Sequence, residues 1–122
     1  MAFETVLYER DGFIGIIRLN RPERMNAVIE QMYLDIQDIL NEARHDARVR
    51  VLVITGSVRK GPEGEKQAFC AGADLKKHAA GDRTPRQKRE YILLAHETTQ
   101  MIYEFPKPVI VAVNGPARGA GT

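Results

Sequence analysis

The chain has 122 residues, 43% hydrophobic and 28% charged, the makeup of an ordinary soluble globular protein with room for one modest domain. Eighteen Lys and Arg against sixteen Asp and Glu leave a formal +2, too small and too scattered to mark a nucleic-acid or membrane partner. One cysteine, Cys70, excludes a disulfide within these residues; with no basic-then-apolar leader after Met1 and no apolar run of spanning length, a cytoplasmic location is expected.

Thr5 to Tyr8 and Phe13 to Leu19 read as two strands joined by a turn at Glu9-Arg10-Asp11-Gly12, where Asp-Gly is a hairpin signal. Asn20-Arg21-Pro22-Glu23 breaks the pattern. From Ala27 to Arg44, apolar Ile29, Met32, Tyr33, Ile36, Ile39, Leu40 and Ala43 recur at the three-and-four spacing of an amphipathic helix. Val49 to Thr55 is nearly continuous and β-branched, as in a parallel strand buried on both faces.

Ser57 to Gln67 is polar, with Gly61-Pro62 and Gly64, and reads as a loop. Ala68 to Ala73 is small and apolar, and Asp74 is placed to cap a short helix through Lys77. A longer helix is predicted from Pro85 to Phe105, with Tyr91, Leu94, Ala95, Thr98, Met101, Ile102 and Phe105 as its main stripe. Pro106 and Pro108 end it, and Val109 to Val113 is a further buried strand. The glycine-rich turn Gly119-Ala120-Gly121 should open another helix covering the sheet face that the strand creates. The 122 residues are therefore expected to be the truncated amino-terminal part of a single domain, or one piece of a cleaved or split chain.

Two loops carry the chemistry. In Ala68-Phe69-Cys70-Ala71-Gly72-Ala73-Asp74-Leu75-Lys76, small residues let a ligand approach the backbone, and a helix start would aim free N–H groups at it. The turn at Gly119-Ala120-Gly121 has the same character. Two such turns facing one point would give an oxyanion hole, donors fixed in advance where negative charge develops on a carbonyl oxygen.

Blander readings stand beside these. Glycine pairs end many strands, and a phosphate-binding P-loop would need lysine where Gly121 stands. Cys70 reads as a small buried hydrophobe and Asp74 as a helix cap. Lys76, Lys77, Arg83, Arg86, Lys88 and Arg89 form a solvated face or attract phosphates. His45 and His78 read as surface residues. His96 shares a second, partly apolar helix face with Ile92, Thr99 and Tyr103, which suits a subunit contact, an acyl pocket or plain packing.

Several motifs follow one another in a fixed order. They are Leu19-Asn20-Arg21-Pro22, Asn26-Ala27, Val51 to Gly56, Phe69 to Leu75, Lys107-Pro108-Val109-Ile110 and Asn114-Gly115. In this succession the whole chain resembles the amino-terminal half of the crotonase (enoyl-CoA hydratase/isomerase) superfamily. The resemblance implies an α/β fold, the first turns of a crotonase-like ββα superhelix, that binds acyl-CoA thioesters and stabilises an enolate. It implies backbone N–H donors at Ala73 and Ala120. Arg24, Met25, Ala71, Gly72, Asp74, Leu75 and Lys76 would line the coenzyme A site. Alanine at position 120, often glycine in the family, keeps the N–H while narrowing the backbone's freedom.

No cofactor is implied beyond coenzyme A as part of the substrate, and no metal. The resemblance places the hydratase-type glutamates after Thr122 and suggests a homo-oligomer, a trimer or hexamer, for the complete enzyme. Hydration of a 2-enoyl-CoA, a step of fatty acid metabolism, is the expected reaction. Isomerisation, hydrolysis and dehalogenation belong to the same family, and a non-catalytic fragment is the reading from outside enzymology. In dehalogenase-type members a histidine on the helix before the Lys/Arg-Pro strand is a base, and His96 resembles that position.

Overall fold

The computed structural model of the chain describes residues 5–22, 26–61, 64–67, 69–70, 84–115 and 117. Its elements are β1 (Val6–Asp11), β2 (Ile14–Leu19), α1 (Glu30–His45), β3 (Val51–Gly56), β4 (Val58–Gly61), β5 (Gly64–Gln67), α2 (Pro85–Tyr103) and β6 (Val109–Ala112). One sheet has the order β1-β2-β3-β6, and β4 pairs with β5 in a second. β1 and β2 run antiparallel, whereas β2, β3 and β6 are parallel, so α1 and α2 each lie within a strand-to-strand crossover. No described helix is long and apolar enough to cross a membrane.

The hairpin turn sits one step later than its sequence signal suggests, because both strands run on until Asp11 pairs with Ile14. Its two loop residues are Gly12 and Phe13, and the φ of +59° at Gly12 suits glycine in the first loop position. α1 buries the predicted stripe of Met32, Tyr33, Ile36, Ile39, Leu40 and Ala43. It starts at Glu30 rather than Ala27, since Asn26 has a φ of +57° and Ile29 is extended. Asp35 joins the buried face and accepts from both the backbone N–H and the hydroxyl of Thr5, at 3.1 and 2.7 Å.

α2 opens with a reciprocal cap: Gln87 N–H donates to the Thr84 hydroxyl and Thr84 N–H donates back to the Gln87 side chain. Pro85 follows in the first turn, where its missing N–H costs nothing. The predicted stripe faces α1, with Thr98 fully buried and Tyr91, Leu94, Ala95, Met101 and Ile102 partly so. Thr98 accepts from Gln37 of α1 at 2.9 Å while donating to the Leu94 carbonyl.

The sheet covers only one face well. Val6, Ile17, Leu19, Leu52 and Ile54 form the core with α1. The double-sided burial expected of the third strand is not found: Val51, Val53 and Thr55 are half-buried, because among the described residues both long helices pack on the opposite face. Ile110, Val111 and Val113 remain about half exposed at 55, 48 and 59%. The loop expected at 57–67 is instead the β4–β5 hairpin, closed where Gly61 pairs with Gly64. Backbone pairing, with no apolar alternation, builds it.

Candidate functional site

Parallel strands β2, β3 and β6 end on the same edge of the sheet, the edge at which open α/β sheets bind ligands. The segments leaving these three ends are hydrogen-bonded to one another. Ser57 N–H donates to the Leu19 carbonyl at 2.8 Å, tying the end of β3 to the end of β2. Gly56 N–H donates to Asn114 Oδ1 at 3.1 Å, tying β3 to the segment after β6. Asn26, fully buried, donates from Nδ2 to the Ser57 carbonyl at 3.3 Å.

Beyond these ends, Cys70 and Ala117 form an isolated parallel β-bridge. The predicted donors, Ala73 and Ala120, each stand three residues past their member of this pair. The bridge pairs the described residues that precede the two predicted loops, with the chain running in the same direction at both. Ala71, Gly72, Ala73, Asp74, Leu75, Lys76, Ala120, Arg24 and Met25 lie outside the described residues, as do the predicted short helix at Asp74 and His78.

Next to the bridge opens an apolar cleft of about 630 Å³ between α1, α2 and the strand ends. Val28, Met32 and Tyr33 form one wall, Val111 and Val113 another, and Cys70 and Ala117 reach into it. No carboxylate lines it among the described residues. Tyr33 and Tyr91 meet edge to face with ring centroids 5.8 Å apart. Burial, followed by the neighbouring Tyr91 hydroxyl, pushes the Tyr33 phenol well above its ordinary range, so it is a neutral hydroxyl at physiological pH.

The second face predicted for the long helix divides. His96 and Thr99 line the cleft while remaining exposed, and Ile92 and Tyr103, 53 and 85% exposed, lie outside it. Cys70 is buried, as its small-hydrophobe reading requires, and His45, Arg86, Lys88 and Arg89 are exposed. Two parts of the site carried no strong sequence signal. The buried pairing of Asn26 with Ser57 spans 31 residues, and only the single Asn-Ala motif hints at it. Tyr33 and Tyr91 read as ordinary members of two core stripes.

The Enoyl-CoA hydratase/isomerase family model matches residues 9–122. A crotonyl-CoA hydratase of Syntrophomonas wolfei is 35% identical over 121 residues, 99% of this chain and 43% of that protein. A probable enoyl-CoA hydratase of Rhodobacter capsulatus is 38% identical, over 99% of this chain and 42% of its own length. Among solved structures, an enoyl-CoA hydratase/isomerase from Xanthobacter autotrophicus superposes with a TM-score of 0.86 at 30% identity, covering 98% of this chain and 42% of that one. An enoyl-CoA hydratase from Bacillus anthracis gives 0.83 at 33% identity, over 97 and 43%. The chain thus spans less than half the length of the curated relatives it matches, and over that span it belongs to the enoyl-CoA hydratase/isomerase family, with the crotonase fold.

Proposed function

We propose that this chain binds an acyl-CoA thioester and polarises its carbonyl through the backbone N–H groups of Ala73 and Ala120, and that the complete protein hydrates 2-enoyl-CoA. The parallel bridge between Cys70 and Ala117 at the head of the apolar cleft carries this reading. The bridge pairs the described residues that precede the two small-residue loops, and the apolar lining of the adjoining cleft supports its reading as an acyl pocket. In hydration, the water oxygen bonds to C3 and negative charge passes through C2 to the thioester oxygen, where two fixed N–H donors stabilise it. A proton then goes to C2, so that the elements of one water are added across the double bond. The resemblance assigns the proton-transferring glutamates to positions after Thr122.

A second reading rests on His96, which lines the cleft. A base at that point suits hydrolytic or dehalogenating chemistry on a bulkier acyl group.

The test compares the full-length protein with its Ala73→Pro variant, since proline removes the N–H. Turnover of crotonyl-CoA should fall by about a hundred- to a thousandfold. Affinity for a thioether analogue, which has no carbonyl, should change little. Equal turnover by the two proteins rules out Ala73 as a donor.

A further inference from the structure

We propose that the apolar cleft takes a plain hydrocarbon acyl tail of medium length, nearer octanoyl than crotonyl, a substrate class that rests on the acyl-CoA reading above. At about 630 Å³ the cleft far exceeds what a crotonyl tail fills, since spaces of about 300–1,000 Å³ hold whole drug-sized molecules. Apolar space left empty forfeits dispersion contacts, and water does not settle there without polar partners. A longer tail recovers those contacts.

The lining sorts by burial into a floor and a mouth. Met32, Ile36 and Thr98 are 1, 7 and 1% exposed and form the floor, where α1 meets α2. His96, Thr99, Val111 and Val113 are exposed and form the mouth. Cys70 and Ala117, the bridge pair, line the same space, so a tail entering past the bridge meets the two helices. The hydroxyls in the lining are already engaged. Thr98 donates to the Leu94 carbonyl at 2.8 Å and accepts from Gln37, and Thr99 donates to the Ala95 carbonyl at 2.9 Å. The Tyr33 phenol is bonded to that of Tyr91. No Asp, Glu, Lys or Arg lines the cleft among the described residues. A hydroxyl or carboxylate on the tail would therefore give up water at this floor without gaining a partner, which is costly.

The test titrates the full-length protein with S-alkyl thioethers of coenzyme A, from butyl to octyl, by calorimetry. Affinity should rise about threefold per added methylene, so that octyl-CoA binds about a hundredfold more tightly than butyl-CoA. A 6-hydroxyhexyl thioether should bind at least about fivefold more weakly than hexyl-CoA. Ala95→Phe narrows the cleft from α2 and should cut the octyl-to-butyl ratio by about tenfold or more. Thr99→Phe, at an exposed lining position, makes the same test if that variant does not fold. Equal affinity for every tail length, or a ratio that neither variant changes, overturns the proposal. So does a hydroxylated tail bound as tightly as the plain one. If no thioether binds and neither crotonyl-CoA nor 2-octenoyl-CoA turns over, the acyl-CoA reading falls, and the proposal with it.

Discussion

Lys107 Nζ stands 2.7 Å from the carbonyl oxygen of Ala43, in the last turn of α1, and donates a hydrogen bond into it. A second bond of 2.7 Å goes to the Asp46 carbonyl. The ammonium thus adds a charged donor to carbonyls that already accept from the Asp46 and Val49 N–H groups, and it offsets the negative end of the helix dipole. Because it reaches across from the segment entering β6, it also fixes where that strand begins. Lys107→Met should destabilise the protein by about 1–3 kcal/mol, as expected for half-buried charged hydrogen bonds. Urea titration would read this as a lower midpoint with an unchanged slope.

Gly15 is needed for space. A Cβ there would lie 3.0 Å from the Tyr8 hydroxyl, 3.1 Å from Leu52 Cδ1 and 3.2 Å from Val49 Cγ1. Gly15→Ala should cost about 1–3 kcal/mol through overpacking. The Tyr8 hydroxyl is buried without a hydrogen-bond partner among the described residues. Tyr8→Phe should therefore be nearly neutral, and it should soften the Gly15→Ala penalty when the two are combined. A strictly additive double mutant would contradict the contact.

Alkaline stability should be steep. The Tyr33 phenol is held above its ordinary value of 10.0 by burial first and Tyr91 second, and Tyr8 is raised mainly by burial. The unfolded chain ionises near pH 10 while the folded chain stays neutral. The contribution is intact below that pH and is lost with a steady slope as pH rises towards the folded values. Denaturant titrations across an alkaline series should show this slope, shallower in Tyr33→Phe.

His96→Gln should lower turnover of crotonyl-CoA by less than about tenfold, because removal of a true general base typically costs a hundredfold or more. A larger loss with folding and coenzyme affinity intact would favour the second reading and make His96 catalytic.

Residues 1–122 expressed alone should self-associate heterogeneously. Ile110, Val111 and Val113 are about half exposed, and β6 pairs only with β3 among the described residues. The complete protein should instead run in light scattering as one species. A monodisperse monomer from the short chain would contradict the first expectation.

Periodicity made most of the fold legible. The α1 stripe from Met32 to Ala43 is buried as its spacing requires, and the proline signal at Pro85 places the start of α2. The β4–β5 hairpin was hidden because its residues are charged, polar or glycine except Val58, and cross-strand backbone pairing leaves no hydrophobic trace. Asp35 was hidden for a related reason: a carboxylate on a core stripe looks like an interruption until Thr5 is seen to satisfy it. At the site, ordered motifs pointed to two loops whose residues past Cys70 and Ala117 lie outside the described residues. The contact between Cys70 and Ala117 joins residues 47 positions apart and has no local pattern to announce it.

The separate pairing of β4 with β5 has a consequence for how this scaffold tolerates change. One foot of the excursion is fixed at Ser57 by Leu19 and Asn26, and the other is fixed near Cys70 by its bridge to Ala117. Residues added or removed at the tip would lengthen or shorten an arm that leans on no other described strand. Both feet would stay where they are, so the hairpin could change length without disturbing the strand ends at Ser57 or the bridge between Cys70 and Ala117.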